Sequence, residues 1–212
     1  MHIPDGFLAA NVWAPAWIFS IGGLAFCIRK TKELLKERMI PLMGVVSAFI
    51  FAAQMLNFPV IGGTSGHLLG GVLAAVLVGP YAAAVCLSCV LIVQCLIFQD
   101  GGVAALGANI FNMSIMGTLG GYLVYRIITK ISGGSKGLVF GIAAASWFSV
   151  FIAASFCAFE LAISGTSPLK VVLPAMVGIH SLIGIGEAII TVLVVSFVLK
   201  VRPDLIYKNT GN

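Results

Sequence analysis

The sequence predicts an all-α polytopic membrane protein with seven transmembrane helices, the N-terminus outside and the C-terminus cytoplasmic. Three observations carry this. Of 212 residues, 60% are apolar and only 9% charged, against roughly 25% charged in a soluble domain, so the chain cannot cover itself with a water-compatible surface. The apolar residues come in long runs, and a helix needs roughly 20 of them to cross a bilayer. The alternating apolar and polar positions of a membrane β-barrel are missing.

The segments follow in order, near residues 7–28, 40–58, 67–78, 81–98, 105–128, 138–163 and 169–199. Only His2 and Asp5 precede the first, with no basic n-region, so a cleaved signal peptide is not expected. A charged, helix-forming linker, 29–38, leads to the second. The third is short: it rises only about 18 Å against roughly 30 Å of hydrocarbon. Its outer end must start below the surface, with the Gly-rich loop 61–66 dipping in. Irregular backbone at that depth is tolerated only inside protein or along a cavity, which implies a pocket with His67 in its wall. The fourth segment carries Cys86, Cys89 and Cys95. These, with Cys27 and Cys157, read as buried thiols rather than a disulfide framework or a zinc pair. The pairs Gly66/Gly70 and Gly117/Gly121 have the spacing of close helix packing. A Gly/Ser loop, 131–136, precedes the sixth segment, and a polar tail, 201–212, follows the seventh. No compositional break divides the chain, so residues 1–212 read as a single transmembrane domain.

Sidedness comes from the basic residues. Arg29, Lys30, Lys32, Lys36 and Arg38 lie in the first connection. Arg126, Lys130 and Lys136 flank the connection after the fifth segment, and Lys200, Arg202 and Lys208 follow the seventh. With seven crossings all of these fall on one side and only Lys170 on the other, so that side is cytoplasmic. The net charge of +5 is therefore topology, and no nucleic-acid partner is expected. His2, the loop ending at His67 and the stretch Gln99-Asp100-Gly101-Gly102 then share the outer face.

Those residues suggest metal chemistry. The chain has three histidines, His2, His67 and His180. A free Met1 amine, the His2 amide nitrogen and the His2 ring can close two fused chelate rings on one ion, and His67 would supply a fourth nitrogen. A planar nitrogen set suits nickel or copper better than magnesium or calcium. Pro4 fixes its own φ and Asp5-Gly6 reads as a turn, folding the opening residues back into the outer mouth. On the residues alone the plainer reading also stands, with Met1 an initiator and His2 an interfacial side chain.

The opening Met1-His2-Ile3-Pro4-Asp5-Gly6, the loop Gly62-Gly63-Thr64-Ser65-Gly66-His67-Leu68-Leu69-Gly70 and the stretch from Phe98-Gln99-Asp100-Gly101-Gly102 through Asn109-Ile110-Phe111-Asn112-Met113 together resemble the NikM/CbiM family. These are the substrate-capture (S) components of energy-coupling-factor (ECF) transporters for nickel and cobalt. The resemblance spans nearly the whole chain. It implies seven helices and a metal held by the N-terminal amine, the His2 amide, the His2 ring and His67. It also implies partners: a membrane coupling (T) component, a cytoplasmic ATPase pair and often a small extra membrane subunit.

Around such a centre a ligating ring gives its other N–H to a carboxylate, carbonyl or amide. Asn109, Asn112, Gln99, Ser65 and Thr64 lie at the outer end and are the candidates, Asn109 first, beside the alternative that they cap helix ends. His180 and Glu187 are seven residues apart, about 10 Å along one helix face, and read as interhelical hydrogen-bonding groups rather than a second metal site. No Walker-type phosphate loop occurs, so any ATP is hydrolysed by partners. The expected function is capture of a divalent metal from outside the cell, with Ni2+ as substrate. A cobalt (Co2+) component feeding cobalamin synthesis is the runner-up. A membrane-embedded metal-dependent hydrolase would need an open coordination position and a base. A metal sensor would need a signalling domain that the short tail does not supply.

Overall fold

The computed structural model describes residues 1–35, 37, 39–60 and 64–207. Lys36, Arg38 and Lys208 of the sidedness argument, and Ile61, Gly62 and Gly63 of the loop motif, lie outside them. The described residues form seven helical rods and one short hairpin. In order these are α1 (Ala10–Leu34), α2 (Met39–Met55), the hairpin strands β1 (Phe58–Val60) and β2 (Thr64–Gly66), α3 (Gly71–Val78) and α4 (Pro80–Phe98). Then come α5 (Leu106–Asn109), a π-helical stretch (Ile110–Gly120) and α6 (Gly121–Ser132), continuous as one rod. α7 (Gly134–Ile163), α8 (Leu169–Val201) and a 3₁₀ turn, Pro203–Leu205, finish the chain. α1, α4, α7 and α8 are each long and apolar enough to cross a membrane.

The burial pattern is that of a bundle in lipid. α8 buries Met176, His180, Gly184, Glu187, Thr191 and Val195, recurring every three or four residues as one helical face. Its opposite face exposes Leu182, Ile185, Ile189, Leu193 and Phe197, which water would not favour and hydrocarbon does. α3 differs, because all eight of its residues are buried. It is the central rod, surrounded by its neighbours.

Three expectations need correction. Helix α3 begins at Gly71, not at His67. The chain before it forms an antiparallel hairpin pairing Phe58 with Gly66 and Val60 with Thr64, so His67 sits on irregular backbone. Gly66 and Gly70 are therefore not a helical packing pair. Gly66 is in β2, where a Cβ would lie 2.8 Å from the Phe58 ring, and Gly70 caps α3 at φ +77°, a conformation that suits glycine. Gly117 and Gly121 do face packed neighbours: a Cβ there would meet Leu69 at 2.7 Å and Val72 at 2.6 Å. Finally, the expected Gly/Ser loop 131–136 shrinks to Gly133 between α6 and α7; the fifth segment is helical throughout, as expected, and contains the π-helical stretch, a feature often found at functional sites.

Long-range contacts define two ends. Phe7, Ser65, Val103 and Thr166 meet at one, where the Thr166 hydroxyl donates to the Phe7 carbonyl and Val103 N–H donates to Asp5. At the other, Tyr207 N–H donates to the Val76 carbonyl at 2.9 Å.

Candidate metal centre

Residues 1–3 are threaded into the protein rather than left on its surface. Met1 and Ile3 are fully buried, and His2 and His67 are 3% and 1% exposed. The thread is held through its backbone. Asn109 grips Ile3 from both sides, accepting from Ile3 N–H at 2.9 Å and donating to its carbonyl at 3.2 Å. Gly102 N–H donates to the same carbonyl at 2.9 Å. Asp5 accepts from Val103 and Ala104 N–H at 2.9 and 2.8 Å. Gly102 is required there, since a Cβ would lie 2.2 Å from the Asp5 nitrogen.

Ser65, in β2, addresses the nitrogen donors directly. Its carbonyl accepts from the Met1 amine, and its Oγ lies 3.0 Å from that amine and 3.2 Å from the His2 amide nitrogen. One hydroxyl thus touches both. The His2 and His67 rings stack with centroids 4.6 Å apart and planes at 29°. His2 Nε2 pairs with Gln94 Oε1 at 3.0 Å, and His67 Nδ1 donates to the Leu68 carbonyl at 2.8 Å. With those nitrogens engaged, His2 Nδ1 and His67 Nε2 are left without a hydrogen-bond partner, although both are buried. His2 Nδ1 is the nitrogen that closes a chelate ring with its own amide. Asp100 Oδ1 stands 3.4 Å from it, and Asp100 Oδ2 accepts from the Asn57 side-chain amide at 3.0 Å.

Burial sets the charge. It lowers the Met1 amine from 8.0 to about 5, and it lowers His2 from 6.5 to about 3, helped by the terminal charge. His67 is pushed well below its ordinary value by the same causes. Near neutral pH the amine and both rings are therefore neutral lone-pair donors, so the His2–Asp100 contact is no ion pair. Asp100 is pushed upward by burial, with the amine opposing. No group of three or more His, Cys, Asp or Glu side chains among the described residues is arranged to hold a metal; a centre here draws on the backbone.

The sequence candidates separate in space. Met1, His2, His67 and Ser65 come together. Thr64 lies beside Cys157, whose Sγ is 3.9 Å from the Met1 carbonyl. Asn109 holds the Ile3 peptide rather than a ring. Asn112 donates to Glu160 at 2.6 Å, away from both rings. Gln99 is exposed, and its left-handed backbone (φ 56°) turns the chain after α4, bringing Asp100 toward His2. Gln94, the partner of the His2 ring, carries no signal in the sequence, because it sits within an apolar helical run and only the packing aims it inward. Glu187 accepts from Leu69 and Gly70 N–H at 2.5 and 2.8 Å, while Gln54 donates to the Leu69 carbonyl at 2.8 Å. His180 Nδ1 donates to the Met176 carbonyl at 2.7 Å, and its Nε2 is unpartnered.

An apolar helical bundle with a polar interior that converges on neutral nitrogen donors defines a membrane protein for transition-metal capture. The comparisons give the family. Residues 2–205 match the family model CbiM, described as the cobalt uptake substrate-specific transmembrane region. A putative fused nickel transport protein NikMN of Archaeoglobus fulgidus is 44% identical over 208 residues, covering 97% of this chain and 68% of that protein. A putative cobalt transport protein CbiM of Methanocaldococcus jannaschii is 33% identical over 212 residues, covering 98% and 91%. A solved structure of a truncated transition metal transporter superposes with a TM-score of 0.88 at 34% identity, covering 94% of this chain and 99% of that one. The chain belongs to the CbiM family and is a multi-pass membrane protein of transition-metal uptake, not an enzyme.

Proposed function

We propose that this chain captures one divalent ion, nickel first, through four nitrogens: the Met1 amine, the deprotonated His2 amide, His2 Nδ1 and His67 Nε2. The observation that carries this is the pair of buried ring nitrogens without partners beside a buried neutral amine. Buried polar atoms are nearly always satisfied, and a metal ion satisfies these. Asn109, Asp5 and Gly102 hold the threaded segment, Ser65 holds the amine and amide, and Gln94 fixes the His2 ring.

Nickel is favoured by the planar nitrogen set and by the nickel transport names of similar proteins; cobalt is the alternative carried by others. Four protein nitrogens leave neither the open position nor the base that hydrolysis needs. The rods cross the membrane seven times with residue 1 outside, and residues 1–212 act as one substrate-binding domain. In support, the described basic residues Arg29, Lys30, Lys32, Arg126, Lys130, Lys136, Lys200 and Arg202 fall at the end opposite Met1. Lacking a phosphate loop, the chain works as the S component of an ATP-driven ECF-type importer, with a T component, an ATPase pair and a small membrane subunit as partners.

The test is His67→Ala. Bound nickel, measured by elemental analysis after gel filtration, is expected to fall by more than the roughly 10–100-fold affinity cost of losing an outer partner, with monodispersity retained. Full nickel content with an unchanged absorption spectrum would sink the four-nitrogen site.

A further inference from the structure

At the end of the bundle opposite the metal centre, α1, α4, α6 and the C-terminal tail enclose a cavity of about 380 Å³, within the roughly 300–1,000 Å³ of small-molecule sites. Its wall is divided by chemistry. Phe26, Leu119 and Leu123 line an apolar part. Arg126 and the three tyrosines Tyr81, Tyr122 and Tyr207 line a polar part. Among the described residues the Arg126 guanidinium makes no ion pair and no side-chain hydrogen bond, and none of the three phenol hydroxyls makes a hydrogen bond. The groups are nonetheless clustered: Arg126 interacts electrostatically with the Tyr122 and Tyr207 hydroxyls, and the Tyr122 and Tyr207 rings lie 6.5 Å apart. Among the described residues no carboxylate lines the cavity.

A guanidinium and three phenols offer donors converging on one volume, which is what phosphate oxygens accept. The apolar wall is continuous with helices whose outer faces suit hydrocarbon. A phosphate ester that also carried a cationic head, such as choline, would find no acid to receive it. We propose that this cavity binds the phosphate of an anionic phospholipid, Arg126 and the tyrosine hydroxyls taking the phosphate and the apolar wall the start of an acyl chain. The lipid would fasten the tail at Tyr207 to the ends of α4 and α6. Tyr207 already anchors there, packing so closely on Gly79 that a Cβ at that glycine would lie 2.7 Å from its ring.

Native mass spectrometry of delipidated, metal-loaded protein titrated with phosphatidylglycerol, phosphatidylcholine or inorganic phosphate tests this. One saturable phosphatidylglycerol is expected, with phosphatidylcholine bound about tenfold more weakly. Arg126→Gln should weaken phosphatidylglycerol binding by more than the roughly fivefold associated with one basic residue near an anionic surface. Tyr207→Phe should weaken it by less. Lys130→Gln, a basic residue of the same helix outside the cavity, should leave it unchanged, and metal content should be unaffected in all three. Equal binding of the two lipids, or an Arg126→Gln variant that behaves like the parent, overturns the proposal. Displacement of the lipid by millimolar inorganic phosphate would make the ligand free phosphate and overturn it too. A fall in lipid binding equally large in Lys130→Gln would mean diffuse surface charge.

Discussion

The buried polar groups around the threaded N-terminus and those around the start of α3 lie close together, yet they differ in how completely they are satisfied. At the start of α3, both Glu187 oxygens accept backbone N–H groups, and Gln54 donates to the neighbouring carbonyl while its own amide oxygen stays bare. Around residues 1–3, His2 and His67 each spend one ring nitrogen on the protein and leave the other bare. A buried polar atom without a partner costs about 1–3 kcal/mol, and here two such ring nitrogens belong to stacked imidazoles beside the buried amine. The Glu187 carboxylate is fully engaged by the backbone of the pocket wall, whereas the two bare ring nitrogens are the atoms that the proposed ion would complete.

The strongest way to break this contrast leaves every side chain in place. Adding one residue before Met1 turns the amine into an amide and moves the chelate out of register. Metal affinity, measured by competition with a chromophoric chelator, should fall well beyond the roughly 100-fold upper cost of losing an outer partner. A C-terminal extension should be silent. Normal binding by the extended protein would return His2 to the role of an interfacial residue.

Gln94→Ala comes next. The ring keeps its ligating nitrogen but loses the acceptor that fixes its orientation, so an affinity loss of about 10–100-fold is expected. An unchanged affinity would mean that the threaded backbone alone orients His2.

The pH dependence sharpens the contrast further. A base whose pKa is lowered is already neutral above that value, and the Met1 amine and His2 ring are lowered to about 5 and about 3. Between pH 6 and 8 neither has a proton to lose on binding, leaving the His2 amide as the source of one released proton. Affinity should therefore rise about tenfold per pH unit across that range. A rise of about a hundredfold per unit would show that the amine or a ring enters protonated.

The smallest effect on metal affinity is expected from Glu187→Ala, whose carboxylate already has both oxygens engaged by backbone N–H groups. It strands two buried N–H groups and should cost about 2–5 kcal/mol of stability, read as a lower thermal midpoint in detergent. The folded fraction should still bind metal. Loss of metal without loss of stability would place Glu187 in the metal centre.

The membrane class, the helical segments apart from the start of α3, and the gathering of Met1, His2 and His67 at one end were legible in the sequence. The first two depend on hydrocarbon thickness, the clustering of basic residues and local runs of apolar side chains, which act along the chain. The convergence of these three residues was legible because the clustering of basic residues over seven crossings puts residue 2 and the loop ending at His67 on one face, and because the motifs at residues 1–6, 62–70 and 98–113 come as a set. The hairpin before α3, the π-helical stretch and the separate destinations of Asn109, Asn112 and Gln99 were not. Nor was Gln94, an amide inside the apolar run of α4, whose partner His2 lies 92 residues away. Which buried amide meets which ring depends on the rotation and depth of rods packed side by side, and no local pattern encodes these. The sequence by itself determined what kind of medium the chain lives in and which donors it carries. Only the tertiary structure decided which nitrogens are occupied and which are left bare, because satisfying a buried polar atom depends on its neighbours in space.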